Sequence, residues 1–331
     1  MVDLRGGTAA AEKTLATALW YPTDVEAGEV RYAGGPNRGR VAPDAPIRTE
    51  TPLPLLAFSH GYGGSAVGSA FLAEALAARG WIVACPDHED RDKLARLRGG
   101  PQRIDRFAFL ERASAMARAG RDFDRGSLRY RLDDVRIVLD ALLSAPESGP
   151  AIDRARIAVG GHSLGGFAAL ALCGAIRGER DGRIAAALLF SPALSLFDEE
   201  EFSAVGVPTM ILLGEKERGE VHGRLTRAEL LDRAFERLPA PKVLAEIRGG
   251  THFSFNLPSA SGIVARAWSG TEEDFETIRT YAIAFLERTV AGREEAGAVL
   301  AAPDRRLSAY RVEGGEAASS EPQSQRSARR A

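Results

Sequence analysis

Ile157-Ala158-Val159-Gly160-Gly161-His162-Ser163-Leu164-Gly165-Gly166-Phe167-Ala168-Ala169-Leu170-Ala171 is the stretch on which the reading of this chain turns. A short apolar, β-prone run meets a glycine pair, a serine, two more glycines, and then a segment of helical composition. Gly161-x-Ser163-x-Gly165 between a strand and a helix is the pattern of a nucleophile elbow. A serine on so sharp a turn sits in strained backbone and projects its hydroxyl out of the sheet. Its neighbours two before and two after must be tiny, because strand and helix almost touch there. The turn also aims a helix N-terminus, and the Leu164 N–H, at any oxyanion that forms beside Ser163.

Around this stretch the chain alternates. Residues 14–21 read as a strand ended by Pro22, and 24–52 as a long surface loop or hairpin. Residues 53–59 form a second strand that runs into His60-Gly61-Tyr62-Gly63-Gly64. A helix pattern over 71–78 closes on Arg79 and Gly80, and 81–85 is the next strand. Residues 89–128 break the rhythm: they are dense in Arg and Asp with scattered aromatics, and read as an insertion of short helices with a lid-like character. A helix over 132–143 leads into the elbow strand. Strands follow at 184–190, 207–213 and 243–247, with an amphipathic helix over 225–238 and a long terminal helix over 272–290. From about Ala301 the apolar period fades, and 301–331 is expected to be a disordered tail. Residues 1–300 are expected to form one domain. Strands alternating with helices predict an α/β fold, with a mainly parallel central sheet and helices on both faces. In such sheets functional groups gather at the carboxyl ends of the strands.

Composition excludes several classes of function. The chain has 331 residues, 45% hydrophobic and 27% charged, with a net charge of -2. That balance gives no basic surface for nucleic acid, and acids interleave with the arginines of 89–128. No run is long enough for a transmembrane helix and the N-terminus lacks an apolar signal core, so a cytoplasmic protein is expected. Cys85 and Cys173 have no metal-ligand or Cys-x-x-Cys spacing, and read as buried free thiols. No cofactor and no metal is implied.

A serine hydroxyl needs a base within hydrogen-bond reach. In the chain order serine, acid, histidine, the base follows both others, which leaves His222 and His252. His252 ends its own strand on a glycine-rich loop and is the better candidate. Glu217, after the strand ending at Leu213, is the candidate carboxylate, with Glu215, Glu220 and Asp198 as alternatives. The oxyanion donors are expected to be the N–H groups of Leu164 and Tyr62. His60 and His162 read as buried structural histidines, and His88 as a loop histidine in the cleft wall.

The set Trp20-Tyr21-Pro22-Thr23, Phe58-Ser59-His60-Gly61-Tyr62-Gly63-Gly64, Gly161-His162-Ser163-Leu164-Gly165-Gly166 and Gly250-Thr251-His252-Phe253 resembles α/β-hydrolases of the platelet-activating-factor acetylhydrolase and predicted dienelactone hydrolase type. Around the elbow it is also similar to bacterial cutinase-like polyester hydrolases. The resemblance spans roughly residues 14 to 290. It implies the α/β-hydrolase fold, with Ser163 as nucleophile, His252 as base, and Tyr62 and Leu164 as oxyanion donors. Acetylhydrolases of this type carry the acid after the strand that follows the elbow helix, where this chain reads Phe190-Ser191-Pro192-Ala193. The polyester hydrolases carry an Asp after the next strand, where this chain has Glu217. The expected activity is hydrolysis of a small-molecule carboxylic ester through an acyl-enzyme. The alternatives are a lactonase, amidase or acyltransferase on the same residues, or a non-catalytic binding protein of this fold.

Overall fold

The apolar runs pair side by side into a sheet that, in the computed structural model, comprises nine strands among the described residues. These are residues 2–8, 11–48, 50–93, 95–101, 105–222, 225–258 and 267–314. In chain order, β1 (Val2–Thr8) and β2 (Ala11–Trp20) make an antiparallel pair. A hairpin follows, β3 (Gly28–Arg31) with β4 (Arg38–Val41), as the reading of 24–52 allowed. Then come β5 (Leu53–Ser59), helix α1 (Ala70–Ala77) and β6 (Ile82–Pro86). A two-residue ladder, β7 (Ala95–Arg96) with β8 (Gly100–Pro101), precedes α2 (Arg106–Ala119) and α3 (Arg129–Ser144). Strand β9 (Ile152–His162) leads through Ser163 into α4 (Leu164–Leu170), and β10 (Ile184–Phe190) and β11 (Thr209–Gly214) follow. A second small ladder, β12 (Val221–His222) with β13 (Leu225–Thr226), introduces α5 (Arg227–Arg237). The chain continues through β14 (Lys242–Ile247), α6 (Glu272–Thr289), α7 (Gly297–Ala301) and β15 (Leu307–Glu313).

The spatial order is β1-β2-β6-β5-β9-β10-β11-β14-β15. From β6 to β14 every neighbouring pair is parallel, and β2 and β15 run against it at the two sides. The parallel strands are buried on both faces, so they read as continuous apolar runs such as Leu55-Leu56-Ala57-Phe58. On one face α3 and α4 pack through Leu132, Val135, Val138, Leu139 and Phe167, with Leu231 and Phe235 of α5. On the other, Phe71, Leu72 and Leu76 of α1 meet Tyr281 and Phe285 of α6, and Phe71 stacks on Phe275 at 4.2 Å between centroids. Helices α5 and α6 each start on a capping box, Thr226 with Glu229 and Thr271 with Asp274, which satisfies N–H groups that the first turn leaves open.

Two expectations need correction. Residues 301–331 were expected to be disordered, but Leu307–Glu313 form β15, which closes the sheet against β14. An edge strand is paired on one side and half-wet, so its sequence alternates weakly and carries little apolar signal. The remaining residues of that expected tail, 315–331, lie outside the described residues. Residues 89–128 hold one 14-residue helix, α2, rather than only short ones; Asp105 caps it by accepting from the N–H groups of Phe107 and Ala108. Cys85 and Cys173 are free and buried. Among the described residues, no helix is long and apolar enough to cross a membrane.

Strand β15 covers Val243 and Ile247 of β14 and buries Leu307. A chain ending at Asp304 should unfold about 5–10 °C below one ending at Gly314, since each kcal/mol lost shifts a midpoint by a few degrees. Paired thermal melts check this.

Candidate active site

The elbow is a place where backbone meets backbone. A Cβ on Gly161 would stand 2.3 Å from the Gly165 carbonyl carbon, and one on Gly165 would stand 1.9 Å from the Ser59 oxygen. Only glycine fits either position. Ser163 between them has φ 54 and ψ -114, a strained conformation for a residue with a side chain. Its N–H donates to Phe190 O at 2.9 Å, and its carbonyl accepts from Phe167 at 3.2 Å and Ala193 at 3.0 Å. The strain is thus held from both sides.

The candidate acid and base, Glu217 and His252, come from the ends of β11 and β14. A Cβ on Gly214 would lie 2.4 Å from the Gly250 carbonyl carbon, and Lys216 N–H donates to Gly250 O at 2.9 Å. The two loops are therefore laid against each other, and His252 Nδ1 lies 2.8 Å from Glu217 Oε2. Glu217 is fully buried. Its Oε1 accepts from Ser191 Oγ at 2.5 Å and from Gly214 N–H at 2.7 Å, and Arg227 Nη2 stands 3.8 Å from Oε2. Burial pushes this carboxyl up, but His252, Arg227 and Ser191 outweigh burial and hold it at about 2. Glu217 is ionised throughout the neutral range.

His162 is buried, and burial together with His252 lowers it to about 3, so it is neutral. Its Nε2–H then donates to His252 O at 2.8 Å, while Nδ1 accepts from Asn256 Nδ2 at 3.1 Å. A neutral imidazole with one donor and one acceptor fixes the backbone of the loop that carries His252.

Ser163, His252 and Tyr62 line one cavity of about 1090 Å³, open mouth included. Leu164 follows Ser163 as the first residue of α4, where a helical N–H has no partner within its own helix. The cavity walls are aromatic. Tyr62 stacks on Phe109 of α2 at 5.6 Å, Phe109 meets Trp268 at 6.0 Å, and Trp268 stacks on Phe253 at 4.9 Å. The Tyr62 hydroxyl donates to Asp92 Oδ2 at 2.7 Å, and burial with this bond raises it to about 12. Asp92 also pairs with Arg112, which ties α2 over the site.

The other candidate residues sit elsewhere. Glu215 accepts from Gly249 N–H, and Asp198 pairs with Arg121. His60 is buried as expected. His88 is a correction: it is fully buried beneath the site, not in the cleft wall, with Nε2 at 2.7 Å from Ser59 Oγ and Nδ1 at 2.8 Å from Asp134 Oδ2. A carboxylate and a hydroxyl inside the fold give its ring both partners that a buried imidazole needs. Ser191 and Arg227, which hold Glu217, were missed. Their only signal was position: Ser191 directly follows a parallel strand, and Arg227 opens an amphipathic helix.

Known proteins resemble this chain. The family profile of platelet-activating factor acetylhydrolase, isoform II, matches residues 24–98. The platelet-activating factor acetylhydrolase of Cavia porcellus is 21% identical over 269 residues, 74% of this chain and 59% of that protein. The chain thus spans about three fifths of the length of that curated relative. The solved structure of a ferulic acid esterase from Streptomyces cinnamoneus superposes with a TM-score of 0.64 at 26% identity, covering 86% of this chain and 85% of that one. The chain has the α/β-hydrolase fold. In this fold the parallel strands all end at one rim, which brings Ser163, Glu217 and His252 to the same side of the sheet although they are far apart in sequence.

Glu217 is depressed below the ordinary carboxylate value of about 4.3, so its stabilising effect is complete above about pH 5 and is lost as pH falls towards 2. The melting-point gap between wild type and Glu217→Gln should therefore be widest at pH 7 and shrink by pH 3. Thermal unfolding at both pH values measures it.

Proposed function

We propose that this α/β-hydrolase is a serine carboxylic-ester hydrolase. The observation that carries the reading is the His252–Glu217 hydrogen bond at the rim of the cavity that Ser163 also lines. The esterase and acetylhydrolase relatives support it.

In this reading Ser163 Oγ attacks the ester carbonyl carbon while His252 Nε2 takes its proton. Glu217 holds the Nδ1–H tautomer and stabilises the imidazolium that forms. The carbonyl oxygen, now negative, is received by the N–H groups of Leu164 and Tyr62. His252 returns the proton to the departing alkoxide, and the alcohol leaves an acyl group on Ser163. Water, deprotonated by His252, then attacks that acyl group, and the carboxylic acid leaves as Ser163 recovers its proton. Each half of the cycle transfers one acyl group, first to Ser163 and then to water, and His252 returns the proton it took.

The aromatic walls point to esters with an apolar, flat group beside the carbonyl. Phe109, Phe253 and Trp268 offer ring faces and no charge. Helix α2 acts as a cap that supplies part of this wall through Phe109 and Leu110.

A fluorophosphonate probe should label the wild type, and labelling should vanish in Ser163→Ala. Glu217→Gln should lower kcat about 10²–10⁴-fold with the fold intact, because the base loses its orienting charge. A folded Glu217→Gln at full activity would mean another carboxylate holds His252. Phe109→Ala should raise KM for aromatic esters about 2–10-fold, the worth of one ring pair, and change acetyl esters by less than about 2-fold. A panel of chromogenic esters reads the two kinetic outcomes.

A further inference from the structure

Beneath the loop His60–Gly64 lies a buried ion pair that the steps above do not use. Arg131 of α3 and Asp90 have 0% exposed side chains and meet at 2.6 Å. The guanidinium does not stop at the carboxylate. Its Nη1 donates to His60 O at 2.6 Å and its Nη2 to Gly61 O at 3.3 Å. Asp90 closes the other side, where Oδ2 accepts from Gly63 N–H at 2.7 Å. One ion pair therefore grips the loop on both flanks of Tyr62.

Gly61 O is the point of convergence. It also accepts from Gly64 N–H at 3.0 Å and lies 2.7 Å from His60 Nδ1. Burial, with the nearby His88, Lys93 and Arg131, keeps His60 neutral. Its Nε2 accepts from His88 N–H at 3.2 Å, which leaves Nδ1 as the protonated nitrogen that donates to Gly61 O.

The consequence is geometric. A trans peptide is planar, and its C=O and N–H point in opposite directions. Gly61 O and Tyr62 N–H belong to the same peptide. Three donors on the interior side hold the carbonyl inward, so the Tyr62 N–H is turned outward. Gly61 lies against the nucleophile: a Cβ there would meet Ser163 Cβ at 3.4 Å. Among the described residues, no acceptor takes the Tyr62 N–H.

We propose that the buried Arg131–Asp90 pair positions the oxyanion hole by fixing the Gly61–Tyr62 peptide with its N–H towards the Ser163 cavity before substrate arrives. This rests on the ester-hydrolase reading above. A charged donor binds a carbonyl more tightly than a neutral one, and the dry interior strengthens the bond. Asp90 balances the charge, so the fork can be buried at all. Arg131 and Asp90 are positioning residues: they touch the loop, not the substrate.

Arg131→Lys tests the proposal. Lysine keeps the charge but lacks the planar fork, so it cannot span Asp90 and two carbonyls together. The readout is the acylation burst with a chromogenic ester, expressed per site titrated by fluorophosphonate. The expected result is an acylation rate at least ~10-fold lower, short of the ~10²–10³ that loss of a whole oxyanion donor costs. Substrate affinity should stay within about 2-fold, and affinity for a boronic acid, which mimics the tetrahedral oxyanion, should fall in step with the rate. A purely structural role would lower the number of titratable sites and leave the rate per site unchanged. Asp90→Asn, which keeps an acceptor for Gly63, is the second variant and should show the same split with a smaller drop. The proposal is overturned by a folded Arg131→Lys that acylates at the wild-type rate per site. It is also overturned if neither variant folds, since the pair would then be a requirement of the fold. Wild type that takes up no fluorophosphonate would instead remove the hydrolase reading itself.

Discussion

No side chain fits where β5, β9 and α4 meet. Gly161, Gly165 and the Ser59 carbonyl lie within hard-contact distance of one another, so the backbone itself is the packing surface. That closeness forces Ser163 into a positive φ and leaves its side chain nowhere to go but out of the sheet. It also brings the end of β5 against the elbow, so that the loop carrying Tyr62 is a neighbour of Ser163. A second backbone contact, Gly214 against Gly250, does the same for the loops of Glu217 and His252. Two tight glycine contacts thus set the whole constellation, and the sheet supplies the rigidity that holds them.

The site has two halves of opposite character. Its floor is polar and dry. Glu217 is held by Ser191, Gly214 and His252; Arg131 and Asp90 grip the loop; His88 lies between Ser59 and Asp134, and Asp134 pairs outward with Lys13. Each of these buried carboxylates is pulled down by its partners against the burial that would raise it. Interior charge survives only with such pairing. The walls are apolar, built from Tyr62, Phe109, Phe253 and Trp268. The floor fixes donors and acceptors before anything binds, and the walls take up whatever apolar surface a ligand brings.

Local chemistry made much of this legible. The central parallel strands are continuous apolar runs, and the elbow announces itself by glycine spacing. The edges did not. Strand β1 contains Gly6-Gly7 and flanking charges, and β15 is paired on one side only, so neither carries a strong period. Helix α3 did contain a signal. Arg131 and Asp134 fall on the same stripe as Val135 and Val138, where charge is unexpected, and both proved to be buried. Charged residues on an apolar stripe mark a polar network inside the fold, but not which groups complete it.

The sequence by itself determined the strand–glycine–serine–glycine–helix unit, the run of strands that ends in loops, and the short set of histidines and carboxylates available after the elbow. Those follow from residue size and from backbone preference over a few positions. Only the tertiary structure decided that Glu217, not Glu215 or Asp198, meets His252, that Ser191 and Arg227 hold it, and that His88 lies under the site. The physical reason is that these contacts join residues from different strand ends. Which ends become neighbours depends on the order in which strands pair, and that order is fixed by burying both faces of the sheet at once.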